Sequence, residues 1–270
     1  MVGAAYNDST NTTHHANLPR PKGHLSSYQM IEFENTLVVI TATMAGGSLP
    51  GGPMLDVNGK PLVRRAIEAA EAAKLGKVLV ATPDNRVAEA VRAAGGDALM
   101  VSRQRPAASD MVAAALALRD PAREVNFTLA FPAALAAIPA LDLRRCLAGI
   151  GNEAADLATL AAPFAAARAG LRRVVAPLSA EREVAYLRGL EPWPDGAEEG
   201  FIHIPVTAWK RKALEAFAGL PPSPGEARIG SEIVRALEGG LRCAAVKVDI
   251  APLSVDTASD LEKVRRLLKA

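Results

Sequence analysis

The feature that most constrains this chain is an alternation of short apolar runs with Ala-rich amphipathic segments. Leu37-Val38-Val39-Ile40, Val78-Leu79-Val80-Ala81, Ala98-Leu99-Met100-Val101 and residues 125–130 are each too short to be buried helices. They read as strands covered on both faces, which implies a parallel sheet. Residues 61–75 carry an inward stripe of Val63, Ala66, Ile67 and Ala70, with Pro61 in the first turn and Gly76 past the end. Asp84 is placed to cap a second helix, with Val87 and Val91 inward, and Ser109 to cap a third. Strand, helix, strand, helix specifies a doubly wound α/β sheet. Such a sheet takes its ligands at the C-terminal strand ends.

The second half alternates less regularly. It predicts strands over residues 155–163, 201–208 and 243–248, and helices over 209–218, 231–237 and 258–268. Thr257 or Asp256 caps the last helix, residues 184–194 read as irregular, and Pro221-Pro222-Ser223-Pro224 breaks the chain. Residues 1–35 read as a disordered leader, because nothing periodic in the first thirty could be buried. Its His14-His15 pair reads as solvated tail rather than a metal site.

Composition excludes several classes. Half of the residues are hydrophobic, 50%, so a sizeable core is expected. Lys plus Arg exceeds Asp plus Glu by only 31 − 29 = 2, and aromatics are 4%. Neither a nucleic acid nor a membrane surface is an expected partner. Cys146 and Cys243 cannot form a disulfide framework, and Cys146 reads as a small core residue. There is no apolar run of about 18 residues and no signal-peptide pattern. A cytoplasmic location is the expectation.

The loop at residues 41–53 carries Gly46, Gly47, Gly51 and Gly52 at the end of the first strand. Its backbone amides suit phosphate. It lacks the Gly-Lys-Ser/Thr ending of a Walker A loop and the spacing of G-x-G-x-x-G. The string around it is more specific: Leu49-Pro50-Gly51, Pro53-Met54, then Asp56-Val57-Asn58-Gly59-Lys60-Pro61-Leu62. Further along come Ala81-Thr82 with Asp84, Arg86 through Val91, Gly95-Gly96, Ala158-Thr159-Leu160-Ala161, Pro192-Trp193-Pro194 and His203-Ile204. Leu220-Pro221-Pro222-Ser223-Pro224, Glu232, Arg235, Val255-Asp256-Thr257 and Asp260-Leu261 complete the series.

In that order these motifs resemble the CMP-Kdo synthetases, the 3-deoxy-manno-octulosonate cytidylyltransferases, over residues 36–270. The resemblance implies a nucleotidyltransferase-type, Rossmann-like fold, mostly parallel and flanked by helices. A nucleotide-binding half (about 36–150) would be followed by a smaller lobe (151–270) for sugar binding and homodimerisation. The implied reaction joins CTP and Kdo: the sugar's anomeric hydroxyl attacks the α-phosphate and pyrophosphate leaves, with Mg2+ and basic side chains offsetting the charge.

This chain departs from the family where that chemistry sits. The two loop Arg positions are Thr43 and Ser48, and the loop Lys position is Gly52. A metal-binding Asp of the family falls at Ala130, and a Glu falls at Ile229. Ser-Gly-Thr near the cytosine has become Ala107-Ala108-Ser109, and His-Ile-Gly has become His203-Ile204-Pro205. Asp256, His203, Glu232 and Arg235 keep the family residue, Asp256 as the surviving metal carboxylate. Each also has a structural reading: a helix cap for Asp256, half-buried packing for His203, and a surface pair for Glu232 with Arg235. Trp193 and Trp209 read as core or dimer contacts. The expectation is a degenerate homologue that pairs with a second copy or an active relative, has no working cofactor site, and belongs to surface-polysaccharide metabolism. An active transferase using Mg2+ with an altered nucleotide or sugar acid, and a non-catalytic sugar-acid sensor, remain as alternatives.

Overall fold

A computed structural model describes residues 35–44, 49–102, 107–151, 154–164, 172–179, 181–192 and 200–269. Residues 1–34 of the leader, Gly46, Gly47, Ser48 and Trp193 lie outside them. The first half runs β1 (Thr36–Thr41), a 3-10 turn (Gly52–Met54), β2 (Asp56–Val57), β3 (Lys60–Pro61), α1 (Leu62–Ala73), β4 (Lys77–Thr82), α2 (Asn85–Ala93), β5 (Ala98–Met100), α3 (Ala108–Arg119), β6 (Phe127–Pro132) and a second 3-10 turn (Ala133–Leu135). Next come α4 (Ala140–Ala148), β7 (Leu157–Phe164), β8 (Arg172–Val175), β9 (Val184–Tyr186), β10 (Gly189–Pro192) and β11 (Gly200–Lys210). The chain ends with α5 (Arg211–Gly219), α6 (Pro224–Ile229), α7 (Glu232–Glu238), β12 (Cys243–Lys247) and α8 (Ala258–Leu267).

One sheet runs through both halves in the order β5-β4-β1-β6-β11-β7-β12-β9, with β8 pairing β11 and β10. Strands β5, β4, β1 and β6 are mutually parallel, and β11 enters antiparallel between β6 and β7. The first strand is buried at all six positions, as its unbroken apolar run requires. Helices cover both faces. Residues of α1, α2, α4 and α8 share one apolar cluster with Val38, Ile40 and Leu129. Residues of α3, α5 and α7 share the other with Val39, Ala130 and Trp209. Cys146 lies in the first cluster and Cys243 in the second, so the sheet separates two buried thiols. Burial raises the pKa of both.

Several elements differ in instructive ways from the sequence reading. The loop before α1 is a hairpin, in which Asn58 and Gly59 (φ 54° and 81°) make a type I′ turn. Gly76 is not the C-cap of α1; Lys74 takes that left-handed position. Gly76 is needed because a Cβ there would sit 2.0 Å from the Thr36 carbonyl oxygen. Pro224 does not interrupt structure but opens α6, whose capping box pairs Ser223 with Glu226. Residues 184–192 hold two short strands that find partners only in the folded sheet. Trp209 is the penultimate residue of β11 rather than the start of a helix, and packs against Phe217 with ring centroids 5.1 Å apart.

Candidate functional site

The strand order reverses between β1 and β6, since β1 leads through β4 to the β5 edge while β6 leads to β11. The crevice beyond the C-terminal ends of β1 and β6 is therefore the switch point where such sheets bind ligands. Thr43 lies in the loop leaving β1. Asp84 sits at the α2 N-cap, yet its carboxylate makes no capping bond. Its Oδ2 accepts the Met44 N–H instead, at 2.7 Å, which ties the loop to the end of β4. Gly52 adopts φ +42°, and a Cβ there would lie 3.3 Å from the Thr43 carbonyl oxygen. The position where the family resemblance puts a lysine is thus folded as only glycine folds easily.

Ala130 is flanked in register by Val39 of β1 and by Thr207 of β11, and Thr207 faces Thr159 of β7. Ala130 is 4% exposed and Ile229 6%, and both belong to one apolar cluster with Ala107, Met111 and Ala161. The two positions expected to carry acids in the family are part of the core here.

His203 is half-buried on β11, beside a bulge. Pairing with β7 shifts between Ile204 and Thr207, so Pro205 and Val206 are extra. The Thr159 hydroxyl lies 2.8 Å from the Val206 carbonyl and 3.2 Å from that of Ile204. The same hydroxyl is hydrogen-bonded to His203 Nε2 at 2.9 Å, which ties the ring to the bulge. Burial, with the nearby Arg172 charge, lowers the His203 pKa from 6.5 to about 4. This group favours the folded state fully above about pH 6.5, and that contribution is lost as pH falls toward about 4. His203→Gln is expected to flatten the decline of the urea midpoint between neutral pH and pH about 5. An unchanged slope would contradict the assignment.

Glu232 and Arg235 do not form the surface pair expected. The Arg235 side chain is 1% exposed and pairs with Asp110 of α3 at 2.8 Å and Glu226 of α6 at 3.2 Å. Its guanidinium stacks 4.0 Å from the Phe217 ring centroid. Glu232 reaches α3 as well, accepting Ser109 Oγ–H at 2.6 Å and Ser109 N–H at 3.2 Å. Burial raises its pKa, against those hydrogen bonds and the Arg235 charge. Ser109 is not the cap of α3: Ala107 holds that position without a side-chain bond.

Asp256 is exposed, and the Val255 N–H donates to the Ala134 carbonyl at 3.0 Å, so its loop lies against the segment that follows β6. It does not cap α8; Thr257 does, in a capping box with Asp260. Among the described residues no three His, Cys, Asp or Glu side chains converge as a metal site. Mg2+ demands several hard oxygen ligands in a near-octahedron. One exposed carboxylate does not meet that demand, and no step through the metal is derived.

A Rossmann-like sheet with its crevice at this switch point is a nucleotidyltransferase-type domain. A family model described as "Cytidylyltransferase" matches residues 37–167. The 3-deoxy-manno-octulosonate cytidylyltransferase of Rhodopseudomonas palustris (strain TIE-1) is 39% identical over 240 residues, 86% of this chain and 97% of that protein. The same-named protein of Bradyrhizobium sp. (strain ORS 278) is 39% identical over 239 residues, 86% and 96% of the two chains. A solved CMP:2-keto-3-deoxy-manno-octonic acid synthetase complexed with CTP superposes with a TM-score of 0.74 at 29% identity, covering 87% of this chain and 98% of that one. The chain belongs to the 3-deoxy-manno-octulosonate cytidylyltransferase family. A 4-diphosphocytidyl-2C-methyl-D-erythritol synthase, with a TM-score of 0.59 at 14% identity and coverage of 87% and 98%, shares the fold alone.

Proposed function

We propose that this chain is a non-catalytic member of its family, which keeps the cytidylyltransferase scaffold and works by binding a partner. The observation that carries the reading is the apolar character of the site. Ala130 and Ile229, 4% and 6% exposed, pack with Ala107 and Met111 where acidic groups would meet metal and sugar in the family. Thr43 and Gly52 offer a triphosphate no cation, and a charge-assisted hydrogen bond is about twice as strong as a neutral one. The partner is a second copy or an active cytidylyltransferase, held through the second half of the chain. Light scattering is expected to show a dimer at micromolar concentration. A strict monomer with no homologue co-purifying would count against that partner.

A second reading, a sugar-acid sensor, is favoured by one observation. His203, half-buried at the β11 bulge and neutral at pH 7, offers ring nitrogens that can bond a ligand hydroxyl. Calorimetry with CTP plus Mg2+, and separately with Kdo, distinguishes the readings. The non-catalytic partner protein binds neither, the sensor binds Kdo alone, and a working transferase binds both.

A further inference from the structure

The first turn of a helix leaves backbone N–H groups that need an acceptor. Ala107, at the N-cap of α3, supplies none, and Asp110 in the first turn is engaged by Arg235. The acceptor comes from the other half of the chain. The Glu232 carboxylate of α7 takes the Ser109 amide and the Ser109 hydroxyl. Ser109 itself is completely buried. Two donors of one residue thus converge on a pair of oxygens 123 residues away in sequence, an arrangement suited to any oxyanion. Arg235, one turn further along α7, fastens the same helix pair through Asp110.

We propose that Glu232 is a built-in oxyanion ligand of α3, which clasps the two halves together and bars external oxyanions from those donors. This role presupposes the non-catalytic reading above, but it is read out by melting and anion binding rather than by turnover, so either can fail alone. The test uses the full chain and formate, a bare carboxylate. Glu232→Ala is expected to lower the melting temperature by roughly 5 °C, from the loss of charged hydrogen bonds. Sodium formate should return at least half of that loss, while sodium chloride of equal ionic strength should not. Glu232→Gln, which keeps an acceptor in place, should show little response to formate. A folded Glu232→Ala chain that gains no more from formate than from chloride would overturn the proposal. If the alanine variant does not fold, the unmodified chain decides. Its Ser109 amide resonance should be unmoved by formate or inorganic phosphate, and a saturable shift would overturn the proposal.

Discussion

Arg235→Ala is expected to destabilise the fold by about 3–5 kcal/mol, the cost of breaking a buried ion pair from one side. The side chain is 1% exposed, and its loss takes the guanidinium from Asp110 at 7% and Glu226 at 13% exposure while removing the stack on Phe217. A domain of this kind has only about 5–15 kcal/mol in hand, so the melting temperature should fall by roughly 10 °C. Arg235→Met combined with Asp110→Asn and Glu226→Gln should recover most of that loss, because no uncompensated charge then remains. Arg123→Ala serves as the contrast. Arg123 is 61% exposed and bonds Glu215 at the surface, and its removal should cost less than about 1 kcal/mol. Equal losses at both positions would show that burial does not set the value of the Arg235 contacts.

The second large effect concerns activity. In general, removing one preorganised charge-stabilising donor costs an enzyme about 10²–10³ in rate. This chain lacks cations at Thr43, Ser48 and Gly52 and a carboxylate at Ala130. Such losses do not add within one site, yet even a discounted total is expected to leave little turnover. Ala130→Asp alone should restore none. It should also destabilise the chain, since it places a carboxylate at a 4% exposed position flanked by Val39 and Thr207. Gly52→Lys meets a separate obstacle: φ is +42°, and its Cβ would press on the Thr43 carbonyl at 3.3 Å. Left-handed backbone costs an ordinary residue roughly 1–2 kcal/mol. Thr43→Arg, Ser48→Arg, Gly52→Lys and Ala130→Asp together form the fuller trial, expected to yield a less stable protein and at most weak pyrophosphate release. Strong activity in the Ala130→Asp variant alone would show that the remaining residues already hold the triphosphate.

The first half was legible because its signals are local. An unbroken run such as Leu37 to Ile40 has no alternative to a doubly covered strand, and the α1 stripe follows helical spacing. Side-chain partners were not legible, because they depend on elements far apart in sequence. Asp84 looked like a helix cap but is claimed by the Met44 amide, 40 residues earlier. Glu232 and Arg235 looked like a surface pair by spacing, but α3 and α6 pack over α7 and claim both. One missed signal was readable. Ser223-x-x-Glu226 with Pro224 in first place marks a helix start, and it outweighs the run of prolines before it. The departures at Ala130 and Ile229 were visible as residue types, whereas their joining of a single apolar cluster appears only when β6 and α6 are packed on one face of the sheet.

The central claim, that this family member does not perform its family's reaction, is tested most directly by pyrophosphate release. The unmodified protein would be incubated with CTP, Kdo and Mg2+, beside an active cytidylyltransferase as positive control. The expected result is a rate indistinguishable from that without protein. Sustained turnover by the unmodified chain would contradict the account and show that other residues have taken over the roles lost at Thr43, Ser48, Gly52 and Ala130.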